Sequence, residues 1–140
     1  MPVQRINLAL ALAASKRTNE AIAALEQMRP PDCPDFFVKL GQCFRFALQG
    51  QKEKLAASLN PELVTTARRD LIYSYYMMVI YAVADEREQA FDWLENAVSR
   101  GWINYPYLSE YDPFLAKFRS DPRFQKLMVR VRGEWGRFEP

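Results

Sequence analysis

The segment EQAFDWLENAV, residues 88–98, decides the fold because its apolar residues recur at helical spacing. Ala90, Leu94 and Ala97 fall on one face of a helix when the segment is wound at 3.6 residues per turn. The whole chain contains only five glycines and no alternating run bounded by Asn-Gly or Asp-Gly turns. The segment therefore predicts an amphipathic helix, and similar spacing predicts helices along most of the chain.

The same pattern occurs upstream at a nearly fixed interval. Ala21 and Leu55 lie 34 residues apart, and Ala90 follows Leu55 after 35 residues. Two further series have the same separations, namely Leu25, Leu59 and Leu94, and Leu12, Phe46 and Tyr81. A period near 34 residues is typical of stacked helix–turn–helix units. The sequence thus predicts an all-α, right-handed stack of about three helix pairs, in which small residues let paired helices approach closely.

These recurring positions resemble the tetratricopeptide repeat family. The matching residues of the third unit are Tyr81, Ala90, Leu94 and Ala97, and those of the first unit are Leu12, Ala21, Leu25 and Met28. The resemblance implies a fold of TPR-like helix pairs and a function in protein–protein interaction.

The middle unit departs from the family pattern. Leu55 replaces the small residue, and Glu62 stands where the last alanine belongs. The pair Leu40-Gly41 followed by Phe44 fits the first-helix pattern if the register moves by two residues, so the register of this unit stays open. Asn60-Pro61 is expected to interrupt the second helix and start an extra turn.

The closing stretch, residues 101–139, is similar to the C-terminal repeat region of bacterial serine/threonine kinases and winged-helix regulators. No kinase signature is present in the sequence, so the resemblance implies the repeat portion only, as a fragment or a stand-alone homologue. We assign residues 1–104 to the TPR-like repeats and residues 105–140 to C-terminal capping helices of the same domain.

Two Asp-Pro pairs, Asp112-Pro113 and Asp121-Pro122, have two interpretations. The aspartates could be paired catalytic acids, or they could cap two helices whose first residue is proline. Capping is the favoured interpretation because each aspartate stands where a cap is expected. The second of these helices is expected to bury Phe124, Leu127 or Met128, Val131 and Trp135, with Arg123, Lys126, Arg130 and Arg137 on the other side.

Helices are expected at 3–14, 18–29, 35–49, 51–59, 62–69, 70–84, 86–99, 112–119 and 121–136. Thr18 or Asn19 is predicted to cap the second helix. Asp85, with Glu88 three residues later, is predicted to form a capping box at the seventh.

The composition argues against catalysis. The chain has no histidine, no Gly-rich phosphate loop, no G-x-S-x-G motif and no metal-ligand cluster. Cys33 and Cys43 are best explained as reduced thiols in a cytoplasmic protein. The apolar run INLALALAAS, residues 6–15, favours a helix over a signal peptide. We therefore predict no enzyme activity, no cofactor, no metal and no membrane insertion.

The predicted function is a scaffold that binds a helix or peptide of a protein partner in a concave groove. The expected groove residues are Phe37, Leu40, Phe44, Tyr75 and Val79. The alternative is that these side chains pack between helices. The predicted wall contains no Lys/Asn cluster, so no carboxylate clamp is expected.

Two further hypotheses remain open. Tyr73, Tyr76, Tyr81, Met77 and Met78 could clasp a small molecule, although such a cluster is more typical of a core. Arg123, Lys126 and Arg130 could contact phosphates of a nucleic acid, since the basic C-terminal helix carries them at helical spacing. A solvated helix face is the more economical explanation. The partner's identity and the oligomeric state are not predicted.

Overall fold

The computed structural model describes residues 2–138, which form ten helices and contain no strand. The helices are α1 (Pro2–Ala14), α2 (Thr18–Glu26), α3 (Asp35–Leu48), α4 (Lys52–Ser58), α5 (Pro61–Arg68), α6 (Leu71–Val83), α7 (Arg87–Ser99), a π-helical turn (Tyr107–Tyr111), a 3₁₀ helix (Pro113–Phe118) and α8 (Pro122–Gly136). The all-α prediction is confirmed, and the predicted helices are found with ends shifted by three residues at most. The π-helical turn was not predicted.

The chain divides into two compact units, Met1–Thr66 and Ala67–Pro140. Helices α1 to α4 belong to the first unit, and α6 to α8 belong to the second. The boundary at residue 104, between repeats and capping helices, stays a prediction. None of the helices within residues 2–138 has the length and apolarity needed to cross a membrane.

Three helix ends share one backbone conformation. Lys16, Gly50 and Asp85 adopt left-handed φ angles of 63°, 69° and 59° directly after α1, α3 and α6. At each end, the next residue donates its N–H to a carbonyl five residues earlier, in the bonds Arg17 to Leu12 (2.8 Å), Gln51 to Phe46 (2.9 Å) and Glu86 to Tyr81 (2.9 Å). This is the Schellman motif, which satisfies the last carbonyl groups of a helix.

The recurrence of this motif fixes the register of the middle turn. The three carbonyl acceptors are Leu12, Phe46 and Tyr81, which form one of the series separated by 34 and 35 residues. The turn after α3 thus keeps the 34-residue spacing, and the register of Leu40, Gly41 and Phe44 in the middle unit stays a prediction.

The predicted caps of α2 and α7 are wrong. Arg17 occupies the cap position of α2, and Glu86 occupies the cap position of α7. Neither residue makes a side-chain capping hydrogen bond to its helix. Thr18 is already helical, and Asp85 belongs to the end of α6. The Schellman motif of the preceding helix determines these turns, so the polar residues nearby are not used as caps.

In the first unit, α3 packs against both α1 and α2, while α4 packs back on α3. Ala21 and Leu25 of α2 are buried. A Cβ atom added to Gly41 of α3 would lie only 3.2 Å from the Met28 sulfur. The absence of a side chain at Gly41 therefore lets Met28 pack closely against α3.

Asn60 caps α5 by accepting the Leu63 N–H at 2.8 Å, which confirms the extra turn predicted at Asn60-Pro61.

In the second unit, α6 packs along the length of α7. The 3₁₀ helix contacts α6, and α8 contacts α7, so the closing segment packs against both of these helices. The buried stripe of α8 consists of Phe124, Leu127, Met128 and Val131. Trp135, which was expected to complete it, is half-buried.

Ala90 provides a test of the packing of α7. It is 1% exposed, so a leucine there would have to push neighbouring side chains out of position. We expect Ala90→Leu to lower the free energy of unfolding by about 1–3 kcal/mol. The exposed neighbour Gln89 supplies the control, since Gln89→Leu is expected to change stability by less than about 0.5 kcal/mol. Urea denaturation measures both, and equal stabilities would contradict the assigned register.

Candidate functional site

The predicted groove residues of the first unit lie on α3. Leu40 is fully buried and Phe44 is 1% exposed. Phe37 is half-buried, and its ring meets that of Phe36 edge-on at a centroid distance of 5.2 Å. Of these three side chains, Phe37 is therefore the one that a partner could touch without rearrangement of the unit.

The predicted groove residues of the second unit lie on α6. Val79 is fully buried and Tyr75 is 6% exposed. The Tyr75 ring stacks on Trp102 with centroids 4.5 Å apart. Both side chains belong to the core of this unit. The groove as a whole stays a prediction, in which the buried residues would support a wall rather than contact a partner.

The aromatic and methionine cluster of α6 is mostly buried. Tyr76, Met77, Met78 and Tyr81 are at most 8% exposed. Tyr73 is half-buried, and its ring stacks on that of Tyr76 at 6.5 Å. This placement favours the core interpretation of the cluster over the small-molecule site.

Asp112 is a buried carboxylate with two roles. It caps the 3₁₀ helix by accepting the Phe114 N–H at 2.9 Å, which confirms the predicted cap. Its other oxygen accepts the hydroxyl of Tyr75 at 2.6 Å, which sequence analysis did not anticipate. The carboxylate therefore fastens the closing segment to α6.

Burial controls the ionisation of this cluster. Loss of solvation raises the pKa of Asp112, although the hydrogen bonds from Tyr75 and Phe114 oppose the change. Burial and the nearby Asp112 carboxylate also raise the pKa of Tyr75, so its hydroxyl remains protonated. The arrangement suits a structural hydrogen bond, because the protonated Tyr75 hydroxyl donates to a buried Asp112 oxygen.

Asp121 is the second confirmed cap, and it sits in an ionic cluster. It accepts the Arg123 N–H at 2.8 Å and pairs with Arg87 at 2.6 Å. These hydrogen bonds, that from Arg87 foremost, lower the pKa of Asp121. Arg123 itself pairs with Glu88 at 2.9 Å and with Glu95 at 3.0 Å. The N-terminal end of α8 is thus tied to α7 by charge, and the two Asp-Pro aspartates bind different partners.

The remaining candidate groups are the two cysteines and possible metal ligands. Cys33 and Cys43 are free and buried. Burial raises the pKa of the Cys43 thiol to about 11, so the unreactive protonated form prevails near neutral pH. Within residues 2–138, no group of three histidine, cysteine or acidic side chains could hold a metal ion.

A cleft of about 280 Å³ lies between the π-helical turn region and α8 in the second unit. Its apolar surface comes from Phe124 and Met128, and Val129 is 74% exposed at this position. Arg119 and Arg132 also line it. Sequence analysis missed this cleft because its residues come from the π-helical turn region, the end of the 3₁₀ helix and α8, and match no motif.

The chain matches no protein-family model, no curated protein and no solved structure.

Proposed function

We propose that the chain is a non-catalytic scaffold that binds a protein partner through a right-handed stack of TPR-like hairpins. The observation that carries this proposal is the Schellman-closed turn that recurs at Lys16, Gly50 and Asp85. Repetition of one turn at intervals of 34 and 35 residues supports a repeat architecture. Helical repeats of this kind typically offer an extended surface for a helix or peptide.

The similarity of the closing stretch to repeat regions of bacterial signalling proteins supports a role in bacterial signalling, in the cytoplasm. A partner helix or extended segment would lie along the wall that contains Phe37. The buried residues Leu40 and Phe44 would hold that part of α3 in place from beneath.

Contacts of α8 disfavour the nucleic-acid hypothesis. Of the three basic residues proposed to contact phosphates, Arg123 is neutralised by two glutamates. Arg130 pairs with Glu134 at 3.4 Å. Nucleic-acid binding depends on several uncompensated cations, so this face is a poor site for a phosphate backbone.

Peptide selection tests the proposal. A random peptide library would be selected against the immobilised full chain, and enriched peptides would be titrated by calorimetry. We expect at least one peptide to bind with a Kd below about 100 μM. We expect Phe37→Ala to weaken a groove-binding peptide by about tenfold or more, because half-buried aromatic side chains are common anchors of interfaces.

Phe46 provides the matched control. It is also a half-buried phenylalanine of α3, but it lies outside the predicted wall. Phe46→Ala should therefore change affinity by less than about twofold. The proposal is overturned if no peptide is enriched. The groove alone is overturned if peptides bind and Phe37→Ala has no effect.

A further inference from the structure

The cleft beside α8 combines positive charge with an apolar floor. Phe124 and Met128 line its floor and are at most 6% exposed. Val129, beside them, is mostly exposed to solvent. A partner that covers the Val129 side chain would remove its apolar surface from water, which is favourable.

The two arginines of the cleft form no salt bridge within residues 2–138. Arg119 donates from Nε to the Ser109 carbonyl at 2.9 Å and from Nη2 to the Asp112 carbonyl at 2.7 Å. Both acceptors are neutral carbonyl groups, which orient the guanidinium, and the nearby Asp112 carboxylate offsets part of its charge. The Arg132 guanidinium lies 5.9 Å from the centre of the Tyr105 ring, and no carboxylate among the described residues pairs with it.

Charge complementarity therefore selects an anionic ligand. None of the described residues that line this cleft is acidic. A carboxylate placed between Arg119 and Arg132 would gain charge-assisted hydrogen bonds, and arginine suits carboxylate geometry well.

The lining of the cleft favours a peptide over other anions. Its volume of about 280 Å³ can hold one anchoring side chain of a larger ligand. A nucleic acid would need more uncompensated cations than two arginines, and it would leave the apolar floor without a complementary group. A peptide supplies an aliphatic or aromatic side chain and an acidic one together.

We propose that this cleft binds an acidic peptide segment of a protein partner, with an apolar side chain on the floor formed by Phe124 and Met128 and a glutamate or aspartate side chain between Arg119 and Arg132. The inference rests on the proposed scaffold function and assigns it a second, chemically defined contact surface. The site is distinct from the predicted wall at Phe37, which belongs to α3.

A peptide array with matched arms tests the site on the full chain. The probes are acetylated, amidated peptides of about eight residues, each with one leucine or phenylalanine flanked by glutamates. In the second arm glutamine replaces every glutamate, and in the third arm serine replaces the apolar residue. We expect the acidic apolar peptides to bind at least about tenfold more tightly than either control arm, as measured by fluorescence anisotropy.

Variants of α8 locate the binding. Arg132→Gln should weaken the best acidic peptide about fivefold or more, while Arg137→Gln, on the same helix but outside the cleft, should change its affinity less than twofold. Val129→Asp should weaken it more than Val129→Asn does. Both Val129 variants replace an exposed side chain, so the fold should tolerate them. Thermal melting of each variant confirms that the chain is folded.

Each contrary outcome overturns the proposal in an identifiable way. Equal binding of the glutamate and glutamine arms would remove the role of charge. Equal losses for Arg132→Gln and Arg137→Gln would indicate unspecific attraction to a basic helix. Tighter binding of a single-stranded oligonucleotide than of any acidic peptide would favour a nucleic acid. If selected peptides bind through Phe37 but none depends on acidity, this inference fails while the scaffold function survives.

Discussion

Replacing Phe44 with alanine is expected to lower the free energy of unfolding by about 3–5 kcal/mol. The ring is 1% exposed in the first unit, so its removal leaves a cavity that surrounding helices can fill only in part. Chemical denaturation measures the loss. An effect of this size is a large fraction of the stability of a small domain, so the variant would be mostly unfolded at the denaturant concentration of the wild-type midpoint.

Phe37 separates structural loss from binding loss. Because it is half-buried on the same helix, Phe37→Ala should cost clearly less stability than Phe44→Ala. A Phe44→Ala variant that loses less than about 1 kcal/mol would contradict the assigned core. It would also return Phe44 to the set of side chains that a partner can reach.

Replacing Asp112 with alanine is expected to lower the free energy of unfolding by about 2–4 kcal/mol. The variant loses the cap of the 3₁₀ helix, and it leaves the buried hydroxyl of Tyr75 without an acceptor. A double-mutant cycle with Tyr75→Phe isolates this pair. Additive losses in the cycle would contradict the hydrogen bond. Tyr111→Phe, at a tyrosine that is 69% exposed, supplies the control for removal of a hydroxyl group.

Asp112 also contributes a pH dependence whose sign follows from its raised pKa. Between the ordinary value of 3.8 and the raised value, the folded chain binds a proton that the unfolded chain releases. This group therefore makes stability fall as pH rises through that window. Asp112→Asn keeps the size of the side chain and removes the titration. We expect the stability of the wild type relative to that of Asp112→Asn to decrease from about pH 4 upward.

If the difference in stability between the wild type and Asp112→Asn stayed constant with pH, or increased as pH rose, the raised pKa of Asp112 would be contradicted. The comparison cancels the titration of groups that both proteins share, since urea denaturation of the two is followed side by side. The Asn variant retains an acceptor for the Phe114 N–H, so it should be more stable than the Ala variant.

The sequence predicted the helices well because periodicity and proline act locally. Asp112-Pro113, Asp121-Pro122 and Asn60-Pro61 each start a helix where the residue types alone require one. The caps assigned to Thr18 and Asp85 failed because a polar residue near a turn is used as a cap only if the preceding helix leaves it in an extended conformation. Here the Schellman motif of the preceding helix does not leave these residues in an extended conformation.

Long-range features were out of reach of the sequence. Tyr75 and Asp112 are 37 residues apart, and no motif connects them. Helical spacing also cannot distinguish a groove residue from a core residue, because both recur with the same period, and this is why Leu40 and Val79 were assigned to a wall although they are buried. The cleft at Arg119 and Arg132 combines three segments of the chain whose approach depends on the packing of α8.

An experimental structure of the chain tests the central proposal of a hairpin repeat most directly. The proposal predicts that the segments around Lys16, Gly50 and Asp85 superpose after shifts of 34 and 35 residues, each with a left-handed residue at the turn, and that one rotation and translation relates each hairpin to the next. Hairpins that superpose only in another register, or that follow one another by unrelated transformations, would contradict the repeat and the scaffold function proposed from it.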